Sequence, residues 1–206
     1  MTGLDARRVG GRCASLVNHD LLTCVVRPRR DEQQVLLERI AVALQERQSL
    51  GPWTLAQIAP AAGLSPAGLL KRFGSRQGIL VALSRRWIDS IPGSPGEQAA
   101  PESELRCWAE RRFSPDGPER VAQGLVNLLD DLRDDELRGL LAEGWAKEIR
   151  YLTALLGRAR LPGLSDPGRG ACLLFDALNG AMLRHATQPA APSPAQTLDD
   201  LMEAWT

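Results

Sequence analysis

The stretch WTLAQIAPAAGLSPAGLLKRFGSRQGIL, residues 53–80, decides how the whole chain is read. Thr54 precedes an apolar series, Leu55, Ile58, Ala59 and Ala62, spaced for one face of a helix, and Gln57 follows Thr54 in capping-box spacing. Gly63 permits a sharp turn. Ser65 and Pro66 mark a second helix start, because the Ser hydroxyl accepts from an orphan amide and Pro at the first helical position forfeits no hydrogen bond. Leu64, Leu69 and Phe73 anchor this helix inward and leave Pro66, Ala67, Lys71 and Arg72 at its start or on its outer face. Ser75 caps a further helix that begins at Arg76. The second helix of so tight a pair fits a DNA major groove, and an αα-hairpin of a plain bundle obeys the same grammar. Pro60 deletes one backbone bond of the first helix and predicts a kink or a shortening there.

Outward from this pair the pattern stays helical. Leu36, Leu37, Ile40, Ala41 and Leu44 place one apolar face on a helix over about 31–48, which completes a three-helix core. A fourth helix over about 76–91 carries Leu80, Leu83, Trp87 and Ile91, and the Pro/Gly-rich run 92–101 is a boundary or loop. Five more helices are expected near 102–113, 118–133, 137–156, 167–187 and 195–205, with Val121, Leu125, Leu128, Leu129 and Leu132 inward on the second of them. Cys24-Val25-Val26 is the only short strand candidate, so the fold class is all-α with about nine helices.

The run GLSPAGLLKRFGSRQGIL, preceded by LLERIAVALQERQ and PWTLAQIAPAA, resembles the DNA-binding domain of the TetR (tetracycline-repressor) family over roughly residues 33–91. Gly63, Ser65, Leu69, Phe73, Ser75, Arg76, Ile79 and Leu80 carry the resemblance in order and spacing. Gly68 departs from the family's usual Thr or Ser, Leu70 from its Tyr, and Arg72 from its common His, so two hydroxyls that often meet the DNA backbone are missing. The resemblance implies an N-terminal helix-turn-helix domain (31–91) joined by a fourth helix to a C-terminal helical domain (92–206) for ligand and dimer contacts. It further implies a homodimer through the last two helices, two recognition helices about one DNA turn apart, and a palindromic double-stranded operator.

The net charge of zero divides unevenly: residues 1–90 hold 13 Lys/Arg against 7 Asp/Glu, and residues 91–206 hold 12 against 18. A basic half suits phosphates and an acidic half stays off them. Residues 1–30 read as a flexible basic arm, either touching DNA or standing as a solvated extension; their broken apolar stretch makes a poor signal peptide. Cys13, Cys24, Cys107 and Cys172 form no C-x-x-C pair, so reduced thiols in a cytoplasmic protein are expected. No apolar run is long enough for a transmembrane helix.

Enzyme signatures are missing: there is no H-E-x-x-H, G-x-S-x-G or phosphate-cradling G-x-x-x-x-G-K-[ST], and the only histidines, His19 and His185, lie far apart. No catalytic residue, cofactor or metal is expected. The acidic run from Asp130 to Glu136 reads as a solvated helix end. For DNA contact, Thr54, Ser65, Lys71, Arg72, Ser75 and Arg76 match family positions that meet phosphates, while Pro66 and Ala67 offer apolar surface to thymine methyls and Gly68 allows close backbone approach. For a partly apolar small-molecule effector, Trp108, Phe113, Trp145, Tyr151, Phe175 and Asn179 are the pocket candidates, with Cys107 and Cys172 nearby; each aromatic equally suits the core. His185 is placed at a pocket or a subunit interface. Two functions satisfy these readings: a one-component transcriptional repressor released by a small molecule, and a helical ligand-binding or protein-interaction module whose DNA-binding function has degenerated.

Overall fold

The computed structural model describes residues 29–47, 52–113 and 117–206. Every regular element among them is an α-helix: α1 Arg29–Gln45, α2 Leu55–Ala62, α3 Pro66–Phe73, α4 Arg76–Ser90, α5 Pro101–Arg112, α6 Gly117–Arg133, α7 Asp135–Ala159, α8 Pro167–Thr187 and α9 Pro194–Ala204. Residues 1–28 of the expected arm, with the Cys24-Val26 segment, lie outside the described residues; positions 29 and 30, expected to close the arm, instead open α1.

The starts of these helices follow from local chemistry. Ser65 Oγ accepts the Gly68 amide at 3.0 Å and Ser75 Oγ accepts the Gly78 amide at 3.0 Å. The Thr54 amide donates to Gln57 Oε1 at 2.8 Å, so the Gln side chain satisfies a donor just before the first turn of α2. Pro occupies the first turn of α3, α5, α8 and α9, where its missing N–H leaves no bond unmade. Pro60 lies on α2, which continues two residues beyond it and stops at Gly63; there φ of +64° makes a left-handed turn that a side chain would resist.

Two apolar cores organise the chain. Leu36, Ile40, Trp53, Ile58, Ala62, Leu69 and Ile79 form one, closed by α1–α4. Leu105, Trp108, Tyr151, Leu152, Leu155, Leu174, Leu178 and Leu198 form the other, drawn from α5, α7, α8 and α9. Helix α4 belongs to both sides: it packs on α1 and α3 and also along α7. Its inner face therefore changes along its length. Ile79, fully buried, enters the first core, while farther along the Trp87 ring lies against α7 and the Ile88 carbonyl accepts from Lys147 of α7. The loop after α4 is pinned rather than loose, because Arg158 donates to the Gly96 and Ala99 carbonyls and the Gly96 amide donates to Glu104.

Helix α6 departs from expectation. Leu125, Leu129 and Leu132 remain 42–53% exposed, and the buried residue of α6 is Gln123. The inward placement expected of its five apolar residues holds only in part: Val121, Leu125 and Leu128 border a cavity between α6 and its neighbours α7 and α8, whereas Leu129 and Leu132 lie on the exposed side.

Candidate functional site

Two regions gather the residues selected from sequence. The first is the α2–α3 pair. Leu69 is fully buried and Phe73 half-buried, so α3 sits on the α1–α2 core with Pro66, Ala67, Leu70, Lys71 and Arg72 exposed. Thr54, Ser65 and Ser75 lie exposed at the starts of α2, α3 and α4. Gly68 is partly covered, and a Cβ on it would meet Ser65 Oγ at 3.3 Å. Arg72 borders a groove against α1, beside Glu32 and Arg39.

Arg76 holds a different position from the other cations. Its guanidinium pairs with Asp130 on α6 at 3.1 Å and lies 4.7 Å from the Trp53 ring centroid. The neighbouring Gln77 Nε2 donates to Asp134 at 2.8 Å. These bonds tie the start of α4 to the end of α6 and the cap of α7, 54 and 57 residues away, and no short-range sequence pattern announces such pairs.

The second region is a cavity of about 540 Å³ among α4, α6, α7 and α8. Trp87, Leu125, Leu128, Leu141, Trp145 and Met182 supply its apolar walls, and Asn179, Asp131 and Arg111 its polar ones. Of the six residues chosen from sequence, Trp145 and Asn179 line this cavity. Trp108 lines an adjoining cavity of about 450 Å³ with Trp87, Arg112 and Glu148. Phe113, Tyr151 and Phe175 do not line either; they are core residues, 4%, 1% and 4% exposed. Phe175 packs edge-on against Trp145, and the Tyr151 hydroxyl donates to Glu104 at 2.7 Å. Cys107 is partly buried on α5, Cys172 is exposed on α8, and His185 Nδ1 lies 2.9 Å from the Ala191 carbonyl near the end of α8.

Electrostatics distinguish two carboxylates here. Burial, with the adjacent charges of Asp130 and Asp134, pushes Asp131 up to about 6. Burial also pushes Glu148 up, against the opposing pull of Arg112, whose Nε donates to it at 3.2 Å. A buried carboxylate with a partly exposed Arg partner fixes α5 to α7 beside the cavities.

Trp87 was missed by sequence reasoning because α4 reads as part of the first domain. Its ring lies directly on the α7 backbone at Gly144, where an added Cβ would fall 2.1 Å from Cζ3. The Lys147 ammonium, one turn along α7, donates to the Ile88 carbonyl at 2.6 Å. A helix of the first core thus supplies a wall of the cavity.

No family profile and no curated protein matches the sequence. Solved structures do match the arrangement of helices. A TetR transcription regulator from Haloarcula marismortui superposes with a TM-score of 0.61 at 18% identity, over 84% of this chain and 94% of that one. The fold is that of the TetR-family regulators. A Saccharomonospora viridis transcriptional regulator in complex with choline gives 0.62 at 17% identity, over 84% and 95% of the two chains. SmeT, the repressor of the Stenotrophomonas maltophilia multidrug efflux pump SmeDEF, gives 0.58 at 18%, over 84% and 89%. In this TetR-type fold, α2 and α3 are the helix-turn-helix pair and α5–α9 the helical second part. No helix among the described residues is long and apolar enough to cross a membrane.

Proposed function

We propose that this protein is a one-component DNA-binding transcriptional regulator, a repressor released by a small molecule that is partly apolar. The observation that carries this reading is the double role of α4: it seats the α2–α3 pair on one side and lends Trp87 to a cavity of about 540 Å³ on the other. Similarity in fold to a named efflux-pump repressor and to a choline-bound regulator supports both halves.

In this mechanism α3 enters the major groove. Ser65, Ser75 and Thr54 offer hydroxyls and first-turn amides to phosphates, Lys71 and Arg72 add charge, and Pro66, Ala67 and Gly68 approach the base edges. Arg76 joins the phosphate contacts only by leaving Asp130. Two copies pair through α8 and α9. The outer face of α8, with Cys172, Leu173, Asp176, Gly180 and Leu183 exposed, supports that pairing, since Leu173 and Leu183 otherwise stand 52% and 38% in water. A two-fold dimer reads a palindrome with half-sites about 34–36 Å apart.

The effector occupies the cavity beside Trp87, Trp145 and Asn179. A ligand that fits only when the Trp87 ring has shifted favours the conformer with α4 displaced, and α4 carries α3 with it. No enzymatic step is needed.

Selection of bound fragments from a pool of random-sequence duplexes tests this function. Enrichment of an inverted repeat supports it; weak, sequence-blind binding erased by moderate salt contradicts it.

A further inference from the structure

Which base features α3 is able to recognise follows from the side chains left on its outer surface. Leu69 and Phe73 face the core, and Arg72 lies to the flank, in the groove against α1. At about 100° per residue, Pro66, Leu70, Ala67 and Lys71 then occupy one continuous arc of the helix. All four are exposed, and Leu70, a large aliphatic side chain, is 45% exposed. Gly68 adds no side chain. The arc holds no amide, hydroxyl, carboxylate or guanidinium; Lys71 is its single hydrogen-bonding group.

The surroundings point to a polyanion as the occupant. Residues 52–90 carry five Lys/Arg, Lys71, Arg72, Arg76, Arg85 and Arg86, against one acid, Asp89. A duplex meets that charge with phosphates and presents its major groove to the arc. Within that groove, hydrogen-bonding edges are read by Arg, Lys, Asn, Gln, Glu, Asp, Ser or Thr, of which the arc holds Lys71 alone, and the feature that an apolar side chain reads is the C5-methyl of thymine.

Resting on the function proposed above, we infer that this protein specifies its half-site through C5-methyl groups, with Leu70 and Ala67 as the reading residues, Pro66 adding apolar surface and Lys71 supplying one donor. The ligand class is a duplex whose half-sites place thymines against Leu70 and Ala67. 5-Methylcytosine, which carries the same methyl at the same ring position, substitutes in part. Leu70 stands where the resembling family usually has Tyr, so this reading is a property of the present chain.

The test uses the full-length protein and the duplex recovered by selection. Each half-site thymine is replaced by deoxyuridine, which keeps base pairing and loses only the methyl. Binding weakens by about fourfold per buried methyl, and about fifteenfold when both half-sites are altered, at one or two positions. At those positions 5-methylcytosine opposite guanine binds more tightly than cytosine by a similar factor. Leu70→Ala, a surface change that leaves the core intact, weakens binding to the thymine duplex and abolishes the discrimination against deoxyuridine at one position. A selected palindrome that tolerates deoxyuridine throughout, or discrimination that both Leu70→Ala and Ala67→Gly leave unchanged, overturns this inference while the regulator function stands. Failure to recover any preferred duplex overturns both.

Discussion

The contact between Gly144 and Trp87 offers the most direct perturbation of the joint between the two cores. A Cβ at residue 144 would lie 2.1 Å from Cζ3 and 2.2 Å from Cη2 of Trp87, where carbon atoms settle near 3.5–4.0 Å. Relieving an overlap of about 1.5 Å requires the ring, and with it α4, to move off α7. Overpacking of this kind costs typically 1–3 kcal/mol and occasionally more; Gly144→Ala is expected at the upper end, about 3 kcal/mol. For a chain of this length that lowers Tm by about 6–12 °C. Trp87→Leu alone removes ring contacts from a side chain that is only half-buried and costs about 2 kcal/mol. The double variant loses about 2–3 kcal/mol instead of the sum, because the smaller side chain leaves room for the new methyl. A coupling energy of about 2–3 kcal/mol follows, read by urea denaturation monitored by far-UV circular dichroism. Additivity within about 0.5 kcal/mol would refute the claim that these two positions meet.

Other consequences concern single groups. Asp130→Asn removes the half-exposed pair with Arg76 and is expected to cost under about 1 kcal/mol in stability, yet free Arg76 for phosphate, so that calorimetric titration at several salt concentrations finds tighter and more salt-dependent DNA binding; unchanged affinity contradicts this. Ser65→Ala removes the oxygen that accepts the Gly68 amide and should destabilise the fold by about 1 kcal/mol, with faster hydrogen exchange confined to the first turn of α3. Asp131 binds its proton more tightly in the folded state, near pH 6 against an ordinary carboxyl value of 3.8, so between those values the native state holds more protons and stability contributed by this group falls as pH rises. Asp131→Asn should therefore gain stability over wild type at pH 7.5 and lose that advantage by pH 4; a constant difference across denaturation curves in that range counts against the assignment.

The helix-turn-helix pair was legible because its signals are local. Ser65-Pro66, Ser75 and Gly63 act on amides and torsions within three or four residues, and Leu69 and Phe73 repeat at helical spacing. The cavity was legible only in part, since periodicity states which way a side chain points and not whether atoms or space lie beyond it. Phe113, Tyr151 and Phe175 sit on inward stripes and fill the core, whereas Trp145 and Asn179, on the same helices as Tyr151 and Phe175, reach the cavity. The same ambiguity explains α6, whose leucines were expected inside and instead border a cavity or water. Trp87, Glu148 with Arg112, and Arg76 with Asp130 depend on tertiary packing between distant segments, which a single sequence leaves unspecified. For Trp87 one signal was present: it lies near the end of a helix expected to touch both parts of the chain.

The central claim, that α3 and its flanking cations hold DNA, is tested most directly by the salt dependence of binding to the selected duplex. Each phosphate contact contributes about 0.9 to the slope of log K against log salt. With Lys71 and Arg72 present in two copies, the Lys71→Ala, Arg72→Ala variant is predicted to bind more weakly, with a slope shallower by about 2 to 4 than wild type. Equal affinity and equal slope for the folded variant would contradict the account.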